Sequence, residues 1–221
     1  MNFSKLLILS LCFIVVACKN KPVSDNQNVL NGKYEIKKAI VETSITIPNF
    51  MEMNIHLMFD DYGKLHKQIT KAKQIGEIGA PEIISYSLIQ DDYIYNWDNT
   101  GKHGTRIHLS PDDEDVFKTG FNFKKVSADF KDKYQLKKIG SKTIKGKDAS
   151  IYTLVINGNK LKYSIWKNIP LEFEAQLEDR KIQSKLISID ENPNFEQSTF
   201  EIPKNITFDD ENQGIEGIME H

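Results

Sequence analysis

Cysteine is nearly absent. Only Cys12 and Cys18 occur among 221 residues, both within the first eighteen, so no disulfide framework holds the rest of the chain and its stability must come from an ordinary core. Neither sign of charge dominates: 29 Lys+Arg stand against 31 Asp+Glu, a formal charge of −2. That balance argues against phosphate-backbone binding as a main activity. No apolar run is long enough to cross a bilayer as a helix; residues 6–16 are apolar over only about eleven positions. Catalytic signatures are missing as well. Gly-x-Ser-x-Gly and His-Glu-x-x-His do not occur. Gly140-Ser-Lys-Thr-Ile-Lys-Gly146-Lys147 has five residues between its glycines where a phosphate loop needs four, and continues with Asp148 instead of Ser or Thr.

The start of the chain is informative. Lys5 precedes the apolar run of residues 6–16, which has the length of the hydrophobic region of an export signal. Val15-Val16-Ala17-Cys18 resembles the bacterial lipobox. That resemblance implies cleavage after Ala17 and lipidation of Cys18, giving 1–17 as signal peptide and 18–31 as a lipidated N-terminus and polar tether. Cleavage leaves 28 Lys+Arg against 31 Asp+Glu and no free thiol. Lys19 follows Cys18 where an aspartate would signal inner-membrane retention in some bacteria, which directs the expectation to the outer membrane.

Residues 32–208 carry a two-residue alternation, the mark of strands with one buried face. Met51, Met53, Ile55, Leu57 and Phe59 alternate with Glu52, Asn54, His56 and Asp60. Asp60-Asp61-Tyr62-Gly63 then supplies a tight turn with glycine for positive φ, and Leu65 and Ile69 return. Similar alternation marks Tyr93, Tyr95 and Trp97, then Leu161, Tyr163 and Ile165, then Ile169 to Leu177. Turn signals separate these runs, and a long antiparallel meander is expected.

One interruption reads as helical. Ser110-Pro111-Asp112-Asp113 has a capping serine, proline at the first helical position and acids facing the helix dipole. Phe123, Val126, Phe130 and Tyr134 recur at helical spacing, predicting a second helix over 124–134. If the sheet curls around this insert, Met53, Ile55, Leu57, Phe59, Tyr93, Tyr95 and Trp97 line its concave side, with Ile165, Leu171 and Phe173 on neighbouring strands. Phe123, Val126 and Phe130 would cover them.

No metal or cofactor set emerges. His103 and His108 fall on opposite faces of a strand, while His56 and His66 flank the 60–63 turn as ordinary surface histidines. Asp91-Asp92 and Asp112-Asp113 fit a turn and a helix start. Residues 209–221 match some positions of a calcium loop, but Glu211 and Gln213 replace its short ligands; an acidic flexible tail is the expectation.

Five segments, taken in order, resemble the LolA/LolB-like lipoprotein-carrier superfamily. They are Phe59-Asp-Asp-Tyr-Gly63; Tyr93-Ile-Tyr-Asn-Trp97 followed by Gly104-Thr105; Lys138-Ile-Gly-Ser-Lys-Thr-Ile-Lys-Gly-Lys147; Trp166-Lys-Asn-Ile-Pro170-Leu171; and Ser198-Thr-Phe-Glu-Ile-Pro203. The resemblance implies a mainly β (α+β) domain, a curved antiparallel half-barrel whose short helical insert covers the concave face, without catalytic residues. It further implies a lipid or acyl ligand in an apolar cavity. The alternative is an anchored protein–protein module of the cell envelope with a packed interior.

Overall fold

The computed structural model describes residues 33–76, 79, 81–90, 93–108, 122–124, 126–156, 158–177 and 180–210. The leader, Cys18, the tether, the helix start expected near Ser110 and the last eleven residues lie outside them.

The alternating segments form a single sheet of twelve strands. In chain order they are β1 (Ala39–Ile47), β2 (Met51–Asp60), β3 (Leu65–Gln74), β4 (Ile83–Gln90), β5 (Tyr93–Asp98), β6 (His103–His108), β7 (Lys137–Ile144), β8 (Lys147–Ile156), β9 (Asn159–Trp166), β10 (Ile169–Leu177), β11 (Arg180–Asp190) and β12 (Thr207–Asp210). Their lateral order is β12-β6-β5-β4-β3-β2-β1-β11-β10-β9-β8-β7. The expected meander is thus two meanders, β1 to β6 and β7 to β11, joined where β1 pairs with β11. All pairings are antiparallel except β12 with β6, which is parallel. The sheet is open and curved, a half-barrel.

Three register shifts mark where β7 to β11 bend. Each leaves one residue unpaired: Ile139 on β7, Leu171 on β10 and Ile187 on β11. An extra residue on one strand of a pair kinks that strand and increases its twist. Leu171 is fully buried, whereas Ile139 and Ile187 are exposed.

The strand order forces two long crossovers. β6 and β7 stand far apart in the sheet, and the described part of the chain between them lies against the inner face. That part carries a short helix, α1 (Ala128–Lys133), capped by Ser127, whose Oγ accepts from the Phe130 N–H at 3.1 Å. The helix expected over 124–134 is therefore shorter and starts later, with a turn at Phe123 and Lys124 before it. Phe123, Val126 and Tyr134 are buried against Ile45, Met53, Tyr152, Leu161, Tyr163 and Phe173 on the inner face, with Phe130 packed beside them. The second crossover runs from β11 to β12 over the opposite face. Lys38 Nζ donates to the Pro193 carbonyl at 2.7 Å, and Lys67 Nζ to the Thr199 carbonyl at 2.8 Å. Lys67 is flanked in the sheet by Met58 and Leu88, which explains why these two outward-facing residues are buried.

β12 then locks onto the edge. Arg106 makes a bidentate pair with Asp210, Nε to Oδ1 at 2.8 Å and Nη2 to Oδ2 at 2.9 Å. Asp209 and Asp210, expected to open the acidic tail, thus belong to the last strand.

A second buried cluster closes one end of the half-barrel. Residues 33–37 lie across that end as a strap: the Tyr34 N–H donates to the Tyr62 carbonyl, the Glu35 N–H to the Lys167 carbonyl, and the Tyr62 N–H to the Lys37 carbonyl, at 3.0, 3.2 and 2.8 Å. The Tyr34 ring stacks on Phe59 with centroids 4.0 Å apart. Gly63, at φ +94°, makes that contact possible, since a Cβ there would lie 2.8 Å from Tyr34 Cδ2 and 2.9 Å from Lys33 Cβ. Gly63→Ala should therefore cost about 2 kcal/mol or more, strain and clash combined. Gly146→Ala, also at positive φ but facing open space, should cost about 1 kcal/mol. Denaturant midpoints of the two variants measure the difference.

Candidate functional site

Register decides which side chains share a face, because residues directly opposite in an antiparallel pair point the same way. Met53, Ile55, Leu57 and Phe59 stand opposite Ala72, Thr70, Gln68 and His66. Those in turn face Ile83, Ser85, Ser87 and Ile89, and the last three face Asp98, Asn96 and Ile94 on β5. The inner face of β5 is accordingly Ile94, Asn96 and Asp98. Tyr93, Tyr95 and Trp97 point outward, on the side opposite to the one expected. There they build an aromatic ladder: Trp97 stacks on Tyr86 with centroids 5.2 Å apart, and Phe208 of β12 meets Tyr95 and Trp97 edge-on at 5.2 and 6.0 Å. Arg106 lies over the Tyr93 ring at 5.0 Å. The ladder seats the C-terminal strand.

The remaining candidates divide along the inner face. Met53 and Ile55 join Ile165, Phe173, Phe123, Val126 and Phe130 in the larger cluster beneath the insert. Phe123 meets Tyr152 and Tyr163 at 5.2 and 6.0 Å, and Tyr163 stacks on Phe173 at 5.9 Å. Leu57, Phe59 and Leu171 belong to the second cluster, under the strap.

Between the insert, the strap, β8, β9 and the β9–β10 turn lies a cleft of about 180 Å³. Phe123, Tyr152, Ile165 and Ser150, which stands opposite Ile165, line it together with Glu35, Lys124, Asp148, Trp166, Lys167 and Asn168. Ligand cavities for drug-sized molecules usually occupy about 300 Å³ or more, so this space is narrow. Ion pairs tie part of this lining. Lys124 reaches Glu35 at 3.6 Å, and Glu191 pairs with Lys167 at 3.7 Å and with Lys147. The Lys147 hydrogen bond holds the Glu191 carboxyl below the usual carboxylate range. Both lysines lie over the Trp166 ring, 4.8 and 4.5 Å from its centre. Of these, Phe123, Ile165 and Trp166 stood out in the sequence; Glu35, Lys124 and Asp148 did not, because an isolated charge at a turn gives no signal.

The histidines do not come together. His56 faces outward and contacts Glu42 at 3.3 Å, and Ser188 Oγ donates to the same carboxylate at 2.7 Å, which with the His56 contact lowers its pKa. His66 faces inward, opposite Phe59. Among the described residues no three His, Cys, Asp or Glu side chains converge as metal ligands, and no helix is long and apolar enough to cross a membrane.

Comparison with known proteins leaves the family open. No family model matches the chain, and no curated protein matches it. Among solved structures it is similar to the Pseudomonas aeruginosa MucA/MucB complex, with 10% identity over 77% of this chain and 57% of that chain at TM-score 0.44. It is similar to PNGF-II, with 10% identity over 83% of this chain and 34% of that chain at TM-score 0.44. It is also similar to the Mycobacterium tuberculosis lipoprotein LppX, with 11% identity over 72% of this chain and 90% of that chain at TM-score 0.37. The chain spans little more than half of the first and a third of the second. At TM-scores below 0.5, none of the three assigns it an activity.

His66, expected at the surface, is buried beneath Tyr34, with ring centroids 6.1 Å apart and no hydrogen-bond partner on Nδ1. Burial, then the charge of Lys33, drives its pKa well below the ordinary histidine value. The folded state therefore keeps His66 neutral while the unfolded chain takes up a proton below about pH 6.5, so stability falls as pH falls through that value. Between pH 7.5 and 5.5 the loss should be about 1 kcal/mol, above the range where the carboxylates titrate. The His66→Gln variant should lack this component in denaturant titrations at the two pH values.

Proposed function

We propose that this chain is a lipid-anchored protein of the bacterial cell envelope, of outer-membrane type, that binds one hydrophobic ligand, a lipid or acyl chain, beneath its insert and catalyses no reaction. The observation that carries the reading is the way the inner face is covered. A wide apolar surface is roofed by a crossover with a six-residue helix and a few aromatic anchors, a cover that can lift without unfolding the sheet. A narrow cleft already lies at the junction of cover and sheet, lined by both apolar and charged residues, the polarity of an amphiphile. The anchor half of the proposal rests on Val15-Val16-Ala17-Cys18. Ligand entry would displace Phe123 and Val126 from Tyr152 and Tyr163.

The small volume of the cleft favours a second reading, an anchored module that binds another envelope protein while its interior stays packed. A protein interior near crystalline density leaves no room for a chain of methylenes.

Two measurements test these readings. Cys18→Ser should move the protein out of the membrane fraction and remove the acyl mass from the mature chain. The anchor-free domain titrated with a fluorescent lysophospholipid should show saturable binding, weakened about tenfold or more by Ser150→Trp, which fills the cleft at the cost of roughly 1.4 kcal/mol or more of binding energy. Absence of saturable binding would favour the packed module.

A further inference from the structure

The registers bring a defined set of turns to the end of the half-barrel where the chain enters. The β2–β3 turn (Asp61–Gly63), the β7–β8 turn at Lys145 and Gly146, the β9–β10 turn at Lys167 and Asn168, and Glu191 after β11 all lie there. The strap is hydrogen-bonded to two of them through Tyr62 and Lys167, so the attachment point of the tether is fixed to that end.

Fourteen residues, 19–32, separate Cys18 from the strap. Whatever its conformation, a chain of that length cannot span more than about 50 Å. A lipid on Cys18 thus holds this end of the domain within roughly its own width of the bilayer. Trp166 closes β9 at this end, with Lys147 and Lys167 against its ring. An indole flanked by lysine stems is amphipathic, with an apolar body and charged tips, which suits the headgroup layer. Acids and lysines at this end nearly balance, Glu35, Asp61 and Glu191 being paired with Lys124, Lys64, Lys147 and Lys167. Association therefore depends on the tether far more than on net charge.

From this placement we infer that the strap end, with Trp166, rests against the phospholipid headgroups of the membrane that holds Cys18. The inference rests on the lipid anchor proposed above. Trp166 and Glu35 also border the cleft, so the cleft then opens towards lipid and an amphiphile passes into it without crossing water.

The chain has two tryptophans, Trp97 and Trp166, and they make the test direct. Trp97 lies on the outer face, four residues along β5 from Tyr93, about 13 Å further from the strap end. The mature chain, extracted with its own lipid and checked by mass, is reconstituted into phosphatidylcholine/phosphatidylglycerol vesicles containing a headgroup-spin-labelled phospholipid. In Trp97→Phe, emission from Trp166 should fall about twofold or more, as expected of a residue at headgroup depth. In Trp166→Phe, emission from Trp97 should stay unchanged. Equal quenching, or stronger quenching of Trp97, would overturn the orientation. Should Trp166→Phe not fold, acylation of Lys64 and Lys145 by a soluble amine reagent gives the same answer, slower on vesicles than in detergent if the inference holds and equal if it does not. An absent acyl mass would instead contradict the anchor itself, a separate result read before any quenching.

Discussion

One constraint organises this protein: a single open sheet has an apolar face, and something in the same chain has to cover it. The strand order supplies the answer. β6 and β7 are separated by most of the sheet's width, roughly ten strand spacings of about 4.8 Å along the sheet, and the described part of their connection lays Phe123, Val126, Phe130 and Tyr134 on the inner face. The curvature imposed by the bulges at Ile139, Leu171 and Ile187 turns that face inward, so a short insert suffices where a flat sheet of twelve strands would need a full layer of helices. The β11–β12 crossover repeats the device on the outer face, held by Lys38 and Lys67 and ending in the Arg106–Asp210 pair.

Covering by crossover has an energetic consequence. The sheet is stabilised by continuous ladders and by the strap cluster around Phe59, and the described part of the insert by side-chain packing and by the Val155 N–H to Tyr134 carbonyl bond at 2.7 Å. Local opening draws on the least stable part of a structure. The described part of the insert packs over the apolar residues of the inner face.

Much of the fold was legible because strand alternation is a local property. The β2 strand and the 60–63 turn with its glycine could be read directly, and so could the packing of Phe123, Val126 and Phe130 over the sheet, although only Phe130 lies in the helix. What alternation cannot supply is the absolute face. Tyr93, Tyr95 and Trp97 have the same period as Met53, Ile55 and Leu57, and only the intervening registers of β3 and β4 reveal that they point the other way. The strap was missed for a similar reason. Tyr34-Glu35-Ile36-Lys37 alternates like a strand, and the burial of Tyr34 depends on Gly63 and Phe59, distant in sequence. His66 reads as an ordinary surface histidine beside the 60–63 turn, and its burial comes from that same tyrosine.

The central claim is that the insert is a movable cover over an apolar site, and amide hydrogen exchange of the full chain with and without lysophospholipid tests it most directly. The account predicts that the ligand speeds exchange at residues 128–136, where the cover lifts, and slows it in β8, β9 and β10, which line the site. An exchange pattern that lysophospholipid leaves unchanged in both regions, with the insert opening only when the sheet unfolds, would contradict it.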